Sequence, residues 1–250
     1  MPGHPYRHVV NELTQPPESP RKHGQLIVSV VLVTALVTAA SYLVPADYAA
    51  TAVGLVFLSA TWFLVLRKDG DVVREHGLGL GGVLLPEELR LGVVVKEALV
   101  AFAWAAGVFA LIAVPFAVGY ARWFHVRHAF DFHAALPSAE HVAAQLLVIA
   151  LPEEAFFRGY VQTELDRVFP RRTHALTMPI GVSILVTSAI FAIGHFLTIT
   201  SPARLAVFFP SLLFGSLRTR TRGVGAGILL HAACNLLSAS LAHGYGLRHP

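Results

Sequence analysis

Seven apolar runs occupy most of the sequence, and their lengths decide what the chain can fold into. They cover approximately Leu26–Val44, Tyr48–Leu66, Ala98–Tyr120, Val142–Leu165, Leu176–Thr198, Leu205–Leu217 and Val224–Leu241. A helix that crosses a bilayer needs about 20 apolar residues, because each residue advances it by about 1.5 Å. The runs therefore predict an all-α fold, a polytopic transmembrane helix bundle of about seven spans. The sixth run is short and is expected to be tilted or partly embedded.

The composition agrees with a membrane protein. Hydrophobic residues make up 55% of the chain and charged residues only 14%, whereas a soluble domain usually carries about 25% charged residues. The formal net charge is +4, but the basic residues lie mainly in short connections between the runs, where they set orientation in the bilayer. No basic stripe is interleaved with aromatic residues, so nucleic acid is not an expected partner. The single cysteine excludes an intrachain disulfide framework.

The remaining segments suggest how the chain is organised. Residues 1–24 are polar and rich in proline, and we expect them to form a mobile cytosolic tail. Residues 25–245 are expected to form a single transmembrane domain. Between the second and third runs, Pro86–Val95 is predicted to form an amphipathic helix on the membrane surface. If seven spans alternate, most basic residues fall on one side, which predicts a cytosolic N-terminus and an outer C-terminus.

Three ionisable residues, Glu153, Glu154 and Arg158, lie inside the fourth run. A charge at mid-bilayer costs at least about 2.5–3.5 kcal/mol on insertion scales, so these side chains should face the bundle interior or a water-filled cavity. Successive helical residues rotate by about 100°, so Glu154 and Arg158 share one face and Glu153 points away. The spacing predicts a Glu154–Arg158 ion pair that leaves Glu153 free to activate water as a general base. The alternative, an ion pair that only holds helices together, does not account for the second glutamate.

Two other runs carry polar residues of a matching kind. On the fifth run, His195 follows Phe191 by one turn, and on the seventh run His231 and Asn235 share a face. A histidine ring and an asparagine amide can both donate hydrogen bonds to a developing oxyanion. Three glycines near the start of the seventh run are predicted to permit close helix approach: Gly223, Gly225 and Gly227.

The three motifs stand in order on separate runs: E-E-x-x-x-R from Glu153 to Arg158, F-x-x-x-H ending at His195, and H-x-x-x-N from His231 to Asn235. Together they resemble the CPBP family of intramembrane proteases, which includes the CAAX-prenyl endopeptidases of the Rce1 type and bacterial relatives linked to bacteriocin immunity and protein sorting. The resemblance covers a catalytic core at about residues 140–241.

The resemblance implies a role for each candidate residue. Glu153 matches the glutamate that activates water, and His195 and His231 match the histidines of the family's motifs. Asn235 matches the asparagine that stabilises the oxyanion. The supporting pair is matched by Glu154 and Arg158.

The implied reaction is hydrolysis of a peptide bond near the C-terminus of a membrane-associated protein or peptide, at or within the lipid bilayer. We expect the bacterial inner membrane as its location, and the sequence leaves open whether the substrates are prenylated. Zinc is the one cofactor considered, since two histidines and a glutamate form a known catalytic zinc set. The H-E-x-x-H signature is absent, and a mechanism that uses glutamate alone explains Asn235 better. No cofactor is therefore favoured.

Two other functions fit part of the pattern. A proton- or ion-coupled membrane transporter would also bury glutamate and histidine residues. A catalytically inactive immunity or scaffold relative would be free to lose Glu153 or His231, so the complete motif set argues against it. One difficulty remains for every version of the site, because simple counting places His195 nearer the outer side than Glu153 and His231. Either tilted helices or a fifth span that starts later than Leu176 would bring them to a common depth, and the sequence does not distinguish the two.

Overall fold

A computed structural model describes residues 20–170, 172–175 and 178–247, and in this part the chain is a bundle of helices. The helices are α1 (Pro20–Leu43), α2 (Ala46–Thr61), α3 (Gly70–Glu75), α4 (Leu91–Trp123), α5 (Phe132–Ala135), α6 (139–168), α7 (Val182–Thr198), α8 (Phe208–Thr221) and α9 (Gly225–Gly244). Two short 3₁₀ turns, Leu80–Gly82 and Pro202–Val207, lie in the connections. Most of the tail predicted for residues 1–24 lies outside the described residues, and α1 begins at Pro20.

Five helical segments are long and apolar enough to cross a membrane: His23–Leu43, Ala46–Leu66, Leu91–Trp123, Phe132–Val168 and Gly225–Gly244. Helix α7 is apolar but has only 17 residues, and α8 has 14. Large apolar side chains on the outside of the bundle, such as Leu32 and Leu111, are exposed, as expected of surfaces that face lipid. The predicted all-α polytopic bundle is confirmed, and the chain is an integral membrane protein.

The fifth span begins later than the sequence predicts. Helix α7 starts at Val182 rather than near Leu176, and an antiparallel hairpin of β1 (Arg172–Ala175) and β2 (Met178–Gly181) precedes it. In this hairpin Arg172 lies opposite Gly181. The residue before a proline avoids the helical region, and Met178 precedes Pro179, so the chain stays extended there. The apolar run therefore does not become helical until the hairpin ends.

The predicted surface helix over Pro86–Val95 is wrong. The chain is irregular through Arg90, and Leu91 begins α4 directly. Leu91 and Val95 are exposed apolar residues that extend the lipid-facing pattern of the long helix rather than form an element of their own. With 33 residues, α4 is about 50 Å long, which exceeds the hydrocarbon thickness and implies a tilted span.

Helix α6 is the central element of the bundle, and it is not a regular α-helix. A short α-helical piece, Leu151–Glu154, is flanked by the π-helical segments Ala144–Ala150 and Ala155–Val161. Such π-segments are frequent at functional sites because they change the direction of the side chains that follow. Aromatic rings hold α6 in place: Phe57 of α2 lies 5.4 Å from the ring of Phe157, which meets Phe191 of α7 edge to face at 5.0 Å.

Candidate active site

Glu154 is buried between two cationic or polar partners. One carboxylate oxygen, Oε2, lies 3.2 Å from Nε of Arg158, so the ion pair predicted from the four-residue spacing is observed. The other oxygen, Oε1, accepts a hydrogen bond from Nδ1 of His231 at 3.0 Å. The Glu154 and Arg158 side chains are both inaccessible to solvent. A charge buried to this extent is tolerated only when it is well paired, and Glu154 neutralises Arg158 while it orients His231.

Arg158 is held by neutral groups as well as by its ion pair. Its Nη2 donates to the hydroxyl of Ser211 on α8 at 2.6 Å and to the Ser211 carbonyl at 3.2 Å. The guanidinium also lies over the rings of Phe191 and Phe214, at 4.6 and 5.3 Å from their centroids. Cation–π contacts strengthen when the cation is desolvated. Arg158 therefore connects α6 to α7 and α8 around the site.

Glu153 points away from this pair, as the helix geometry predicts, and faces two imidazoles. Its Oε2 lies 3.9 Å from Nε2 of His195 and 3.8 Å from Nε2 of His231. This oxygen is buried and has no hydrogen-bond partner among the described residues. Both distances exceed a direct hydrogen bond and lie in the range that one water molecule can bridge. The carboxylate and the two rings can thus share a single small molecule.

The outer hydrogen bonds of the two rings decide which nitrogen faces Glu153. Nδ1 of His195 donates to the carbonyl oxygen of Phe191 at 3.0 Å, and Nδ1 of His231 donates to Glu154. In a neutral imidazole the other nitrogen is then an acceptor. Both neutral rings consequently present an Nε2 lone pair to the space beside Glu153, and either can donate a hydrogen bond from Nε2 only after it takes up a proton.

The chemical types of these three groups also suit zinc, which accepts imidazole nitrogen and carboxylate oxygen. However, no group of three or more His, Cys, Asp or Glu side chains in the described part of the chain is placed to hold a metal ion. The reaction proposed for this site uses the side chains alone.

Asn235 lies one helical turn after His231 on α9 and bonds to a residue that the motifs do not include. Its Nδ2 donates to Oε1 of Gln145 at 3.0 Å, and Gln145 lies 3.3 Å from Nε2 of His141. The structure therefore brings five of the six candidate residues into direct contact or within 4 Å, and connects Asn235 to Gln145 at the start of α6. An asparagine amide has two N–H groups, and the bond to Gln145 uses one of them.

A glycine on α9 makes room for the buried carboxylate. A Cβ placed on Gly227 would lie 2.9 Å from Oε2 of Glu154, a distance that side chains do not tolerate. The close helix approach predicted from the glycines of the seventh run is thus present at Gly227. A Cβ on Gly225 would lie 3.4 Å from Ala101 of α4, so the first turn of α9 packs against α4 on one side and against Glu154 of α6 on the other.

Three residues near the site do not stand out in the sequence. Ser211 and Gln145 are single polar residues inside apolar runs, and Arg204 resembles an ordinary loop cation. Arg204 is half-buried in the 3₁₀ turn Pro202–Val207 and interacts electrostatically with both Glu153 and His195. Burial lowers the pKa of Arg204, and the negative charge of Glu153 acts in the opposite direction. The positive charge of Arg204 therefore acts on the predicted base through space.

The depth of the site is consistent in the structure. His195 and His231 each lie within 4 Å of Glu153, although counting along the sequence separates them along the membrane normal. The late start of α7 accounts for the difference, because the hairpin takes up residues that the sequence assigns to the first turns of the span.

Comparison with known families gives one match. Residues 135–237 match the family model described as type II CAAX prenyl endopeptidase, Rce1-like. The matched segment runs from the last residue of α5 into α9 and contains all six candidate residues. No curated protein and no solved structure matches the chain. The resemblance to CAAX-type proteases that the three motifs predict is confirmed by this match.

Proposed function

Because residues 135–237 match the model of the Rce1-like family of type II CAAX prenyl endopeptidases, we propose that the protein is an intramembrane endopeptidase that cleaves membrane-associated proteins or peptides near their C-termini. One observation carries the proposal: Oε2 of Glu153 lies within 3.9 Å of two imidazole nitrogens inside a membrane-spanning bundle. A carboxylate and two proton acceptors around one small volume are suited to activate water.

The first step is attack by water on the scissile carbonyl carbon. Glu153 removes a proton from a water molecule that also donates to Nε2 of His195 or His231. The oxygen of that water forms a bond to the carbonyl carbon, and the π electrons of the carbonyl move to its oxygen. The negative charge of Glu153 is thereby transferred to the tetrahedral intermediate, and the carboxyl group holds the proton.

The second step is collapse of the intermediate. The N–H of Asn235 that is not bonded to Gln145 stabilises the oxyanion, together with one of the two rings, which has taken a proton at Nε2 from solvent before the reaction and keeps it throughout. The C–N bond then breaks, and the leaving nitrogen takes the proton from Glu153, which returns the base to its ionised form. The products are a carboxylic acid at the new C-terminus and an amine, and transfer of the acid proton to the amine gives a carboxylate and an ammonium group.

Glu154 and Arg158 act as positioning residues in this mechanism. The bond from Nδ1 of His231 to Glu154 fixes the ring so that Nε2 faces Glu153. Partners of this kind orient the reactive group without touching the substrate. Arg158 holds Glu154 in place, since its guanidinium lies against a carboxylate that has no access to solvent.

We propose that the membrane is the bacterial inner membrane and that the N-terminus is cytosolic. Four arginines gather at the end of the bundle where α6 and α8 end: Arg167, Arg172, Arg218 and Arg222. An excess of basic residues marks the cytosolic ends of membrane spans. Fusion of a reporter to the N-terminus, with protease protection in inverted and right-side-out vesicles, tests this orientation.

The decisive experiment compares the C-termini of membrane proteins by mass spectrometry in cells that make the wild type or Glu153→Gln. A matched control is Glu97→Gln, which changes an exposed glutamate of α4. We expect a set of shortened C-termini in wild-type and Glu97→Gln cells that is absent with Glu153→Gln. Identical termini in all three strains would contradict proteolysis. An ion flux that depends on Glu153, without any cleaved product, would indicate a transporter instead.

A further inference from the structure

A second polar pocket lies at the end of the bundle, and the proposed reaction does not use it. It has a volume of about 290 Å³ and lies between the end of α6, the β1–β2 hairpin, α3 and the end of α8. Four arginines and two carboxylates contribute to its lining: Arg167, Arg172, Arg218, Arg222, Glu75 and Asp166. Arginines are thus in excess over carboxylates in this pocket.

Two of the arginines are neutralised by carboxylates. Arg167 pairs with Glu75 through Nη2 at 2.7 Å and with Glu164 through Nη1 at 2.6 Å. Arg172 pairs with Asp166 at 2.5 Å. These ion pairs account for the carboxylates of the pocket, so its remaining positive charge belongs to the other two arginines.

Among the described residues, Arg218 donates its hydrogen bonds to neutral groups. Its Nη2 donates to the carbonyl oxygen of Glu75 at 2.8 Å and to the hydroxyl of Thr163 at 3.2 Å. In the described part of the chain its Nε is buried without a hydrogen-bond partner. Burial lowers the pKa of Arg218 to about 10, and the charges of Asp166 and Glu75, which already pair with Arg172 and Arg167, only partly offset this effect. An anion in the pocket would offset it further.

The position of the Arg218 guanidinium is built into the fold. Gly77 has a φ of +67°, and a Cβ at this residue would lie 2.7 Å from Cζ and Nε of Arg218. A glycine is favoured at this position for two reasons. Its backbone is in the left-handed region, and a side chain would collide with the guanidinium of Arg218. The carbonyl of Gly77 also accepts a hydrogen bond from the N–H of Val224 at 3.0 Å. The guanidinium is therefore pre-positioned rather than free to swing into solvent.

Arg222 is the second arginine without a counter-ion. It ends α8 in the left-handed conformation, with a φ of 59°, and its side chain is exposed. None of the ion pairs among the described residues includes Arg222. A buried, fixed guanidinium and an exposed, adjustable one thus border the same pocket.

We propose that this pocket binds a phosphate group, supplied by the headgroup of an anionic phospholipid or by soluble phosphate. Guanidinium groups match phosphate oxygens with paired hydrogen bonds. The pocket lies where the apolar segments of α6 and α8 end, which is the level of lipid headgroups, and basic pockets between membrane helices are suited to such headgroups. The site is separate from Glu153 and its two histidines, so it does not depend on the proposed reaction.

The test measures binding to the full-length protein purified in neutral detergent. Native mass spectrometry counts retained phosphatidylglycerol, with phosphatidylcholine of the same chain length for comparison, and calorimetry measures inorganic phosphate. We expect phosphatidylglycerol to be retained in preference to phosphatidylcholine. Arg218→Gln and Arg222→Gln should each weaken the binding by about tenfold or more, as expected for loss of a charged hydrogen-bond donor. The control Arg127→Gln removes an exposed arginine outside the pocket and should leave binding unchanged.

The outcomes of the lipid and phosphate measurements lead to different conclusions. If inorganic phosphate binds and the two pocket variants weaken it, the phosphate site is supported and its source is soluble. If Arg127→Gln weakens binding as much as the pocket variants, only net charge is involved and the proposal is overturned. The same conclusion follows if neither ligand distinguishes wild type from Arg222→Gln. This exposed side chain can be changed without loss of a buried contact, so the test stands even if Arg218→Gln does not fold.

Discussion

Glu154 of α6 accepts a hydrogen bond from Nδ1 of His231 on α9 at 3.0 Å, and this bond determines what the neighbouring glutamate meets. With Nδ1 engaged, the opposite nitrogen of the ring faces Oε2 of Glu153 at 3.8 Å. The two adjacent glutamates thus have different surroundings and different roles. Glu154 is buried against Arg158 and orients the imidazole, whereas Glu153 borders the space where water can be activated.

Glutamine at the two adjacent positions should separate stability from activity. Glu154→Gln leaves Arg158 buried without a counter-ion, and loss of one partner of a buried pair costs about 3–5 kcal/mol. Glu153→Gln removes a carboxylate that has no ion pair with an arginine, so we expect a nearly unchanged Tm and no turnover. Thermal unfolding of the purified variants, with a peptide-cleavage assay, measures both. An equal fall in Tm for the two variants would contradict the assignment of a stabilising role to Glu154 and a catalytic role to Glu153.

The contact at Gly227 predicts that even a methyl group disturbs the site. Gly227→Ala places a Cβ 2.9 Å from Oε2 of Glu154, so the carboxylate must move away from Arg158 and His231. We expect a loss of about 1–3 kcal/mol, typical of overpacking, and reduced turnover. Gly194→Ala is the matched control, because nothing lies within 4 Å of its added Cβ and alanine suits a helix better than glycine. Similar losses in both variants would argue against the contact.

The local part of the site could be predicted from the sequence, and the long-range part could not. The Glu154–Arg158 pair follows from a spacing of four residues on one helix, and the α6 π-segments do not abolish it. The Glu154–His231 hydrogen bond joins residues 77 positions apart. It depends on the register of α9 relative to α6, that is, on their relative position along the helix axes. Apolar periodicity gives no information on that register. The start of α7 likewise depends on a hairpin that the apolar run conceals.

The hydrogen bond between Asn235 and Gln145 can be tested by a double-mutant cycle. The side-chain oxygen of Gln145 accepts a hydrogen bond from Nδ2 of Asn235, so Gln145→Leu should leave the amide free to rotate. We expect about a tenfold fall in kcat, the lower range for partners that orient a reacting group. Asn235→Ala should cost about 10²–10³ in kcat, as loss of an oxyanion donor does. The double variant should match Asn235→Ala alone, and additive losses would show that the two residues act independently.

Substitution of Arg204 is expected to weaken substrate binding. This half-buried cation interacts electrostatically with Glu153 and His195, so it can attract the terminal carboxylate of a substrate that is cleaved near its C-terminus. We expect Arg204→Gln to raise KM about tenfold, the effect of losing one charged hydrogen bond, with little change in kcat. Arg204→Lys keeps the charge and should recover most of the affinity. A fall in kcat at constant KM would instead place Arg204 in the reaction itself.

We expect that turnover does not require a zinc ion. Glu153, His195 and His231 are residue types that zinc accepts, but the proposed reaction moves protons between a carboxylate, water and the leaving nitrogen only. Protein dialysed against a chelator should therefore retain its turnover, and elemental analysis should find much less than one zinc ion per chain. Glu153→Gln should stay inactive whether or not zinc is added. If turnover is lost on dialysis and returns with zinc, the two Nε2 atoms are metal ligands, and activation of water passes from Glu153 alone to the ion.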